Sequence, residues 1–210
     1  MKLFKQLQYL VLLLPLLCSC KKEIMDEGYS AIPESFDSVL IPDNVVLKDF
    51  LRYDNSNSIW YYQNQPFSGQ LVSFYPNGLK KELTNIWQGR RHQISQHWFS
   101  DGYLRVSATF KKGKLHGEKK LWSQEKDHSL IAQLNYKEGK AHGQQLMWYP
   151  SGELYKRLHL NNGKEEGIQQ AFRKNGALYA NYEAKNGRIY GLKKASLCYG
   201  LEEEELKPFQ

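Results

Sequence analysis

Apolar residues in this chain alternate on a two-residue beat, and that beat is itself repeated about every 24 residues. With Gly69 as origin, equivalent positions fall at Gln93, Gly117, Gly143, Gly167 and Gly191, at spacings of 24, 24, 26, 24 and 24. In the second half of the units one parity is apolar: Ala108 and Phe110, Leu134 and Tyr136, Leu158 and Leu160, preceded by Leu104, Leu130, Leu154 and Leu178. The alternate places hold Thr109, Asn135, His159 and Glu183. Such alternation sets one face against packing and the other against water, and runs of about six to eight residues have the length of strands.

Turn chemistry punctuates the runs. Asn77-Gly78, Asp101-Gly102, Ser151-Gly152 and Asn175-Gly176 supply the positive φ that tight hairpins need, and the third unit replaces its pair by the longer Gln124–Ser129 segment. A second turn closes each unit at Gly89, Gly113, Gly139, Gly163 and Gly187, each followed by a base: Arg90, Lys114, Lys140, Lys164 and Arg188. Five places after each origin stands a large aromatic: Phe74, Trp98, Trp122, Trp148 and Phe172. Each unit therefore reads as one β-hairpin. The predicted fold is all-β, an elongated single-layer antiparallel meander of stacked ~24-residue hairpins with roughly ten to thirteen strands.

The ends of the array are worn. Counting back from Gly69 reaches Val45, which puts Phe50 at the aromatic position, Trp60 and Tyr62 in the second apolar stretch, and Asn64-Gln65 at the closing turn. Leu192–Leu197 offers the first strand of a further unit, and Glu202–Glu205 ends the pattern. The boundaries that follow are 1–19 for a signal, 20–44 for a tether, 45–201 for the array (units ending near 69, 93, 117, 143, 167 and 191) and 202–210 for an acidic tail.

Composition changes the picture in one respect. The 210 residues carry a formal charge of +7, with 41% hydrophobic and 13% aromatic residues, enough to support burial. The charge is uneven: residues 70–191 hold 20 basic against 10 acidic side chains, and residues 20–69 hold 4 against 8. At the start, Lys2 and Lys5 precede the apolar run Leu7–Leu17, too short for an ordinary span, and no second stretch approaches spanning length. An exported basic array does not meet chromosomal DNA, so nucleic acid is not an expected partner.

Two resemblances follow from these residues. Leu17-Cys18-Ser19-Cys20 resembles the lipobox of bacterial lipoproteins, which implies cleavage before Cys20, acylation of that cysteine, and a membrane anchor. Lys21-Lys22-Glu23 lacks the aspartate of an inner-membrane retention signal, so the outer membrane is expected. The units Phe74-Tyr75-Pro76-Asn77-Gly78 and Lys112-Gly113-Lys114-Leu115-His116-Gly117-Glu118, with Lys140-Ala141-His142-Gly143, resemble the MORN repeat in its bacterial variant form. Proteins of that variant are often labelled antitoxins, while others are scaffolds or lipid-associated proteins. The fuller repeat has a second glycine where this chain has Lys119 or Gln145.

Candidate chemistry is sparse. His92, His116 and His142 occupy one repeat position, so their counterparts stand about 10 Å apart, too far to ligate one metal. His97 and His128 are extras, and no nucleophile, metal or phosphate-loop motif is readable. Glu165-Glu166 and Glu202–Glu205 read as a turn edge and a solvated tail, and Cys198, the one thiol left after Cys20, as a small buried hydrophobe. Two rows remain as surfaces. The aromatics Phe74, Trp98, Trp122, Trp148 and Phe172 either grip a partner or pack the sheet. The bases Arg90, Lys114, Lys140, Lys164 and Arg188 either meet an anionic surface or are simply solvated. The expectation is a lipid-anchored scaffold without enzyme activity or cofactor that binds protein at the envelope. The alternatives are an antitoxin or immunity-like protein, and a module for glycan or anionic lipid.

Overall fold

The computed structural model describes residues 39–192 apart from Lys126. The signal segment, Cys20, most of the tether, Cys198 and the acidic tail lie outside the described residues.

The strands run β1 (Val45–Leu47), β2 (Arg52–Asp54), β3 (Ile59–Tyr62), β4 (Gln65–Pro66), β5 (Gly69–Phe74), β6 (Lys80–Trp87), β7 (Arg90–Trp98) and β8 (Leu104–Lys111). They continue as β9 (Lys114–Trp122), β10 (Leu130–Lys137), β11 (Lys140–Trp148), β12 (Leu154–Asn161), β13 (Lys164–Glu165), β14 (Gly167–Phe172), β15 (Leu178–Lys185) and β16 (Arg188–Leu192). From β5 to β16 the strands pair in sequence order, β12 pairing with both β13 and β14, so the array is one antiparallel meander, and β1 joins β5 to complete a 13-stranded sheet. The hairpin reading of the repeat holds for all five units from Gly69.

Both turns of each unit are built by backbone. At the opening turn Tyr75, Phe99, Tyr149 and Arg173 each accept the N–H of the glycine three residues on, at 2.9–3.0 Å. Asn77, Asp101 and Asn175 add a side-chain oxygen that accepts the N–H two residues on, the turn chemistry that makes such residues frequent there. At the closing turn the glycine N–H reaches into the preceding unit: Gly89 to the Phe67 carbonyl, Gly113 to Arg91, Gly139 to Leu115 and Gly163 to Ala141, all at 2.7–2.8 Å. Four of the five closing turns thus hook their hairpin to the one before it outside the ladder proper.

Residues 45–68 depart from the expected hairpin. Val45–Leu47 pairs parallel to β5; Lys48–Phe50 then forms a 3-10 turn, and β2–β4 make a separate three-stranded sheet. Phe50, expected at the aromatic position, is exposed. The reason lies at Gly69, whose φ is +149° and whose missing Cβ leaves room for Asn44: an added Cβ would stand 2.6 Å from the Asn44 carbonyl oxygen. The chain lies against β5 there, and the Gln70 N–H donates to the same carbonyl at 2.9 Å. The closing half of the unit survives, because Gln63 and Asn64 take the left-handed turn and Phe67 supplies the carbonyl hooked by Gly89. An apolar core sits at this head, where Leu51, Phe67, Leu71 and Ile86 pack with Val46, Trp60 and Tyr62.

Register shifts recur near both turns, between Met147 and Trp148 at one end of β11 and between Leu134 and Tyr136 in β10, for example. A bulge leaves backbone groups off the ladder, and here side chains take them up. The buried Gln145 amide accepts the Asn135 N–H at 3.2 Å and donates to the Asn135 carbonyl at 2.9 Å. Gln169 does the same for His159, at 3.2 and 2.7 Å. At this position of two units, a side chain thus imitates a peptide group.

Candidate functional site

The histidines of the repeat are structural. His92 Nδ1 accepts the N–H of Lys112 at 3.3 Å, His116 Nδ1 that of Glu138 at 3.4 Å, and His142 Nδ1 that of Asn162 at 3.5 Å. Each donor is the first residue of the next closing turn, held at φ near +50°. Ser68, one unit earlier, accepts the Gln88 N–H at 2.9 Å in the same way. At the fifth place, Glu166 replaces histidine and the strand is interrupted between β13 and β14.

The aromatic row lies at an edge. Phe74, Trp98, Trp122, Trp148 and Phe172 are the last residues of β5, β7, β9, β11 and β14, each beside a register shift at the opening turn. Phe74 is exposed and the other four are half-buried. Lys80 Nζ lies 5.1 Å from the Trp98 ring centre. The basic row lies at the other edge: Arg90, Lys114, Lys140, Lys164 and Arg188 begin β7, β9, β11, β13 and β16. Eight steps of strand from Lys114 to Trp122 separate the two rows by about 26 Å. The two rows therefore stand at opposite ends of the strands.

One constellation escaped the sequence reading. Lys48 Nζ donates to Glu82 Oε2 at 2.7 Å; Thr84 Oγ1 donates to Glu82 Oε1 at 3.1 Å and lies 2.7 Å from Ser95 Oγ, which is 3.5 Å from His97 Nε2. Burial pushes the Glu82 carboxyl up, but the hydrogen bond and charge of Lys48, with help from His97 and Thr84, hold it below its ordinary 4.5. Burial is the main cause that lowers the His97 imidazole below 6.5; nearby Arg91, Arg105 and Lys48 act in the same sense and Glu82 opposes them. With Ser95 and Thr84 buried and bonded to each other, the chain of groups ties the Lys48 turn to the sheet and leaves no hydroxyl presented to a substrate. The signal in the sequence was a break of parity: Thr84 stands where the next unit has Ala108.

The two faces of the sheet differ. Directly paired residues share a face, and successive partners Val106, Leu121, Ala132 and Met147 run across β8–β11 on one side, flanked by the mixed series Ala108, Lys119, Leu134 and Gln145. Most of these are half-buried. The elements outside the main sheet, all within residues 39–67, pack at β5–β7, so among the described residues nothing covers this apolar row. The opposite side carries Gln96, Ser107, Lys120 and Gln133 as successive partners, then Leu146, Arg157, Gln170 and Asn181.

Fold and surface together define a β-repeat protein whose hairpins form one open sheet. No family model matches the chain, and no curated protein matches it.

Proposed function

We propose that this protein is a binding scaffold of the bacterial envelope, a variant of the MORN repeat held to the outer membrane by a lipid on Cys20, without catalytic activity of its own. The observation that carries the binding role is the uncovered apolar row Val106, Leu121, Ala132 and Met147 with Leu134 beside it. Contiguous apolar surface rimmed by polar groups marks a protein-binding site more often than a solvated face. A partner that lays an apolar strip along β8–β11 supplies a second layer that this part of the sheet lacks among the described residues.

The test is crosslinking in detergent-solubilised envelope, comparing wild type with Leu121→Lys and Leu134→Lys. Capture of a defined protein that both substitutions abolish, with the hairpin fold intact by circular dichroism, supports the reading; capture unaffected by them refutes it. If the captured protein is a toxin whose activity the wild type suppresses, the scaffold is an antitoxin or immunity protein. Cys20→Ala tests the anchor, and a variant that stays in the membrane fraction with unchanged acyl labelling overturns it.

A further inference from the structure

One unit breaks the glycine pattern of the repeat. The origin place holds glycine at Gly69, Gly117, Gly143, Gly167 and Gly191, but in the second unit it holds Gln93. Its φ is +59°, in the left-handed region that glycine adopts far more easily. Plain alternation sets Gln93 with Ser95 on the apolar side. The positive φ turns the side chain over to the polar side instead, where Asn85 Nδ2 donates to its Oε1 at 3.5 Å. Asn85 belongs to that side because its neighbour Thr84 pairs with Ser95, and Ser95 with Ala108 beside the apolar row. From there Gln93 Nε2 donates to the Val39 carbonyl at 2.8 Å. Five residues on, the Asn44 carbonyl accepts the Gln70 N–H at 2.9 Å. Residues 39–44 therefore run from β7 to β5, with Val39 and Ile41 half-buried and Leu40 exposed between them. The one origin residue that carries a side chain is the one that clasps the chain ahead of the sheet.

We propose that the segment just before this clasp, residues 32–38, docks on the polar side of β8 and β9, with Asp37 paired to Lys111. Those residues lie outside the described residues; their sequence, Ile-Pro-Glu-Ser-Phe-Asp-Ser, holds two acids and no base. Continuity limits where they go. Asp37 is two residues from Val39 and so stands within about 7 Å of it, and the strand beyond β7 is β8, about 4.8 Å away. Charge then selects the surface. On the polar side β8 presents Arg105, Ser107, Thr109 and Lys111, alternating with Val106 and Ala108. Lys120 of β9, on the same side, is paired with Glu118 at 2.9 Å, so Arg105 and Lys111 make the positive excess. Lys111 follows Phe110, the direct partner of Gln93, and is the base of β8 nearest the clasp. It also faces Lys114 across the ladder, and a carboxylate beside that pair relieves the repulsion of like charges directly opposite. Between the two bases Ser107 and Thr109 are short and buried, a low floor for an extended segment. The docking leaves the apolar row uncovered, so it does not rest on the partner proposed for that row.

The experiment follows cleavage after Glu34 by a glutamate-specific protease, on the full-length protein in detergent, with circular dichroism confirming the sheet in each variant. Gln93→Gly puts the glycine of the other units at that place, keeps the hairpin and removes the amide that holds Val39. Cleavage then quickens about tenfold over wild type. Asp37→Lys quickens it too, and D37K/K111E returns it to within about twofold of the wild-type rate. Equal rates in wild type and Gln93→Gly overturn the proposal, as does a double variant cut as fast as Asp37→Lys. A photo-crosslinking p-benzoylphenylalanine in place of Phe36 reports the location. Adducts on residues 105–111 or 118–120 support the docking; adducts on Leu121, Ala132 or Met147, adducts on another copy, or none at all overturn it.

Discussion

The Tyr75 hydroxyl donates to the carbonyl oxygen of Trp98, 23 residues on, at 2.8 Å. The same bond recurs three units later between Tyr149 and Phe172, at 3.1 Å; of the two intervening units, one has Phe99 at that place, with no hydroxyl to offer, and the other has Ser123, whose hydroxyl accepts the Glu125 N–H instead. One hairpin is thus stapled to the next at the opening edge, as the closing glycines hook it at the other. Tyr75→Phe removes one neutral hydrogen bond at a half-buried site, a loss of about 0.5–1.5 kcal/mol. The expected result is a lower denaturation midpoint with the spectrum of the folded sheet unchanged, and hydrogen exchange quickened around Trp98 rather than throughout.

Substitution at two glycines separates backbone strain from crowding. Gly163 has φ +84° and open space around it, so Gly163→Ala costs only the left-handed conformation, about 1–2 kcal/mol. Gly89, at φ +75°, faces the Ile59 side chain and the Trp60 carbonyl. Gly89→Ala adds a clash to the same strain and displaces the small sheet at the head, and its destabilisation exceeds that of Gly163→Ala by roughly 1–3 kcal/mol. Chemical denaturation of the two variants checks the order.

Gln145 is fully engaged by the Asn135 peptide, and Gln145→Leu leaves that N–H and carbonyl buried without a partner. The cost is about 1–3 kcal/mol, while Gln144→Leu on the exposed neighbouring position is close to neutral. Amide exchange at Asn135 reports the loss directly.

Acid weakens the head of the array in two stages. His97 has its folded value lowered below 6.5, so the unfolded chain binds the proton first, and the stability conferred by neutral His97 is complete above pH 6.5 and lost as pH falls below it. Glu82, held below 4.5 by Lys48, contributes stability above that value which disappears as pH falls through its folded value. A thermal-denaturation series from pH 8 to pH 3 shows both declines in wild type. His97→Gln abolishes the first and keeps the second.

The repeat was readable because a hairpin is local. Glycine at a turn, the alternation that leads to it and the aromatic beside it are all decided within a dozen residues, and five copies in register made the unit plain from Gly69 to Gly191. The head was not readable, because its pairing is long-range. Val45–Leu47 beside β5 depends on the contact between Asn44 and Gly69, and the Lys48, Glu82, Thr84, Ser95 and His97 chain joins three separate segments. The candidate rows were legible as residues and, through the hairpin reading, as opposite ends of the strands, but not in what they touch, such as Lys80 over Trp98.

From its own order of residues the chain determined that it is all-β, where each hairpin turns, and which positions are periodic. Those choices rest on φ preferences and two-residue alternation, which act over a few bonds. Tertiary structure alone decided how the head pairs, which residues fill the bulges, and which face of the sheet is uncovered among the described residues. Each of these depends on where one hairpin lies against the next, and so on contacts across 20 residues or more.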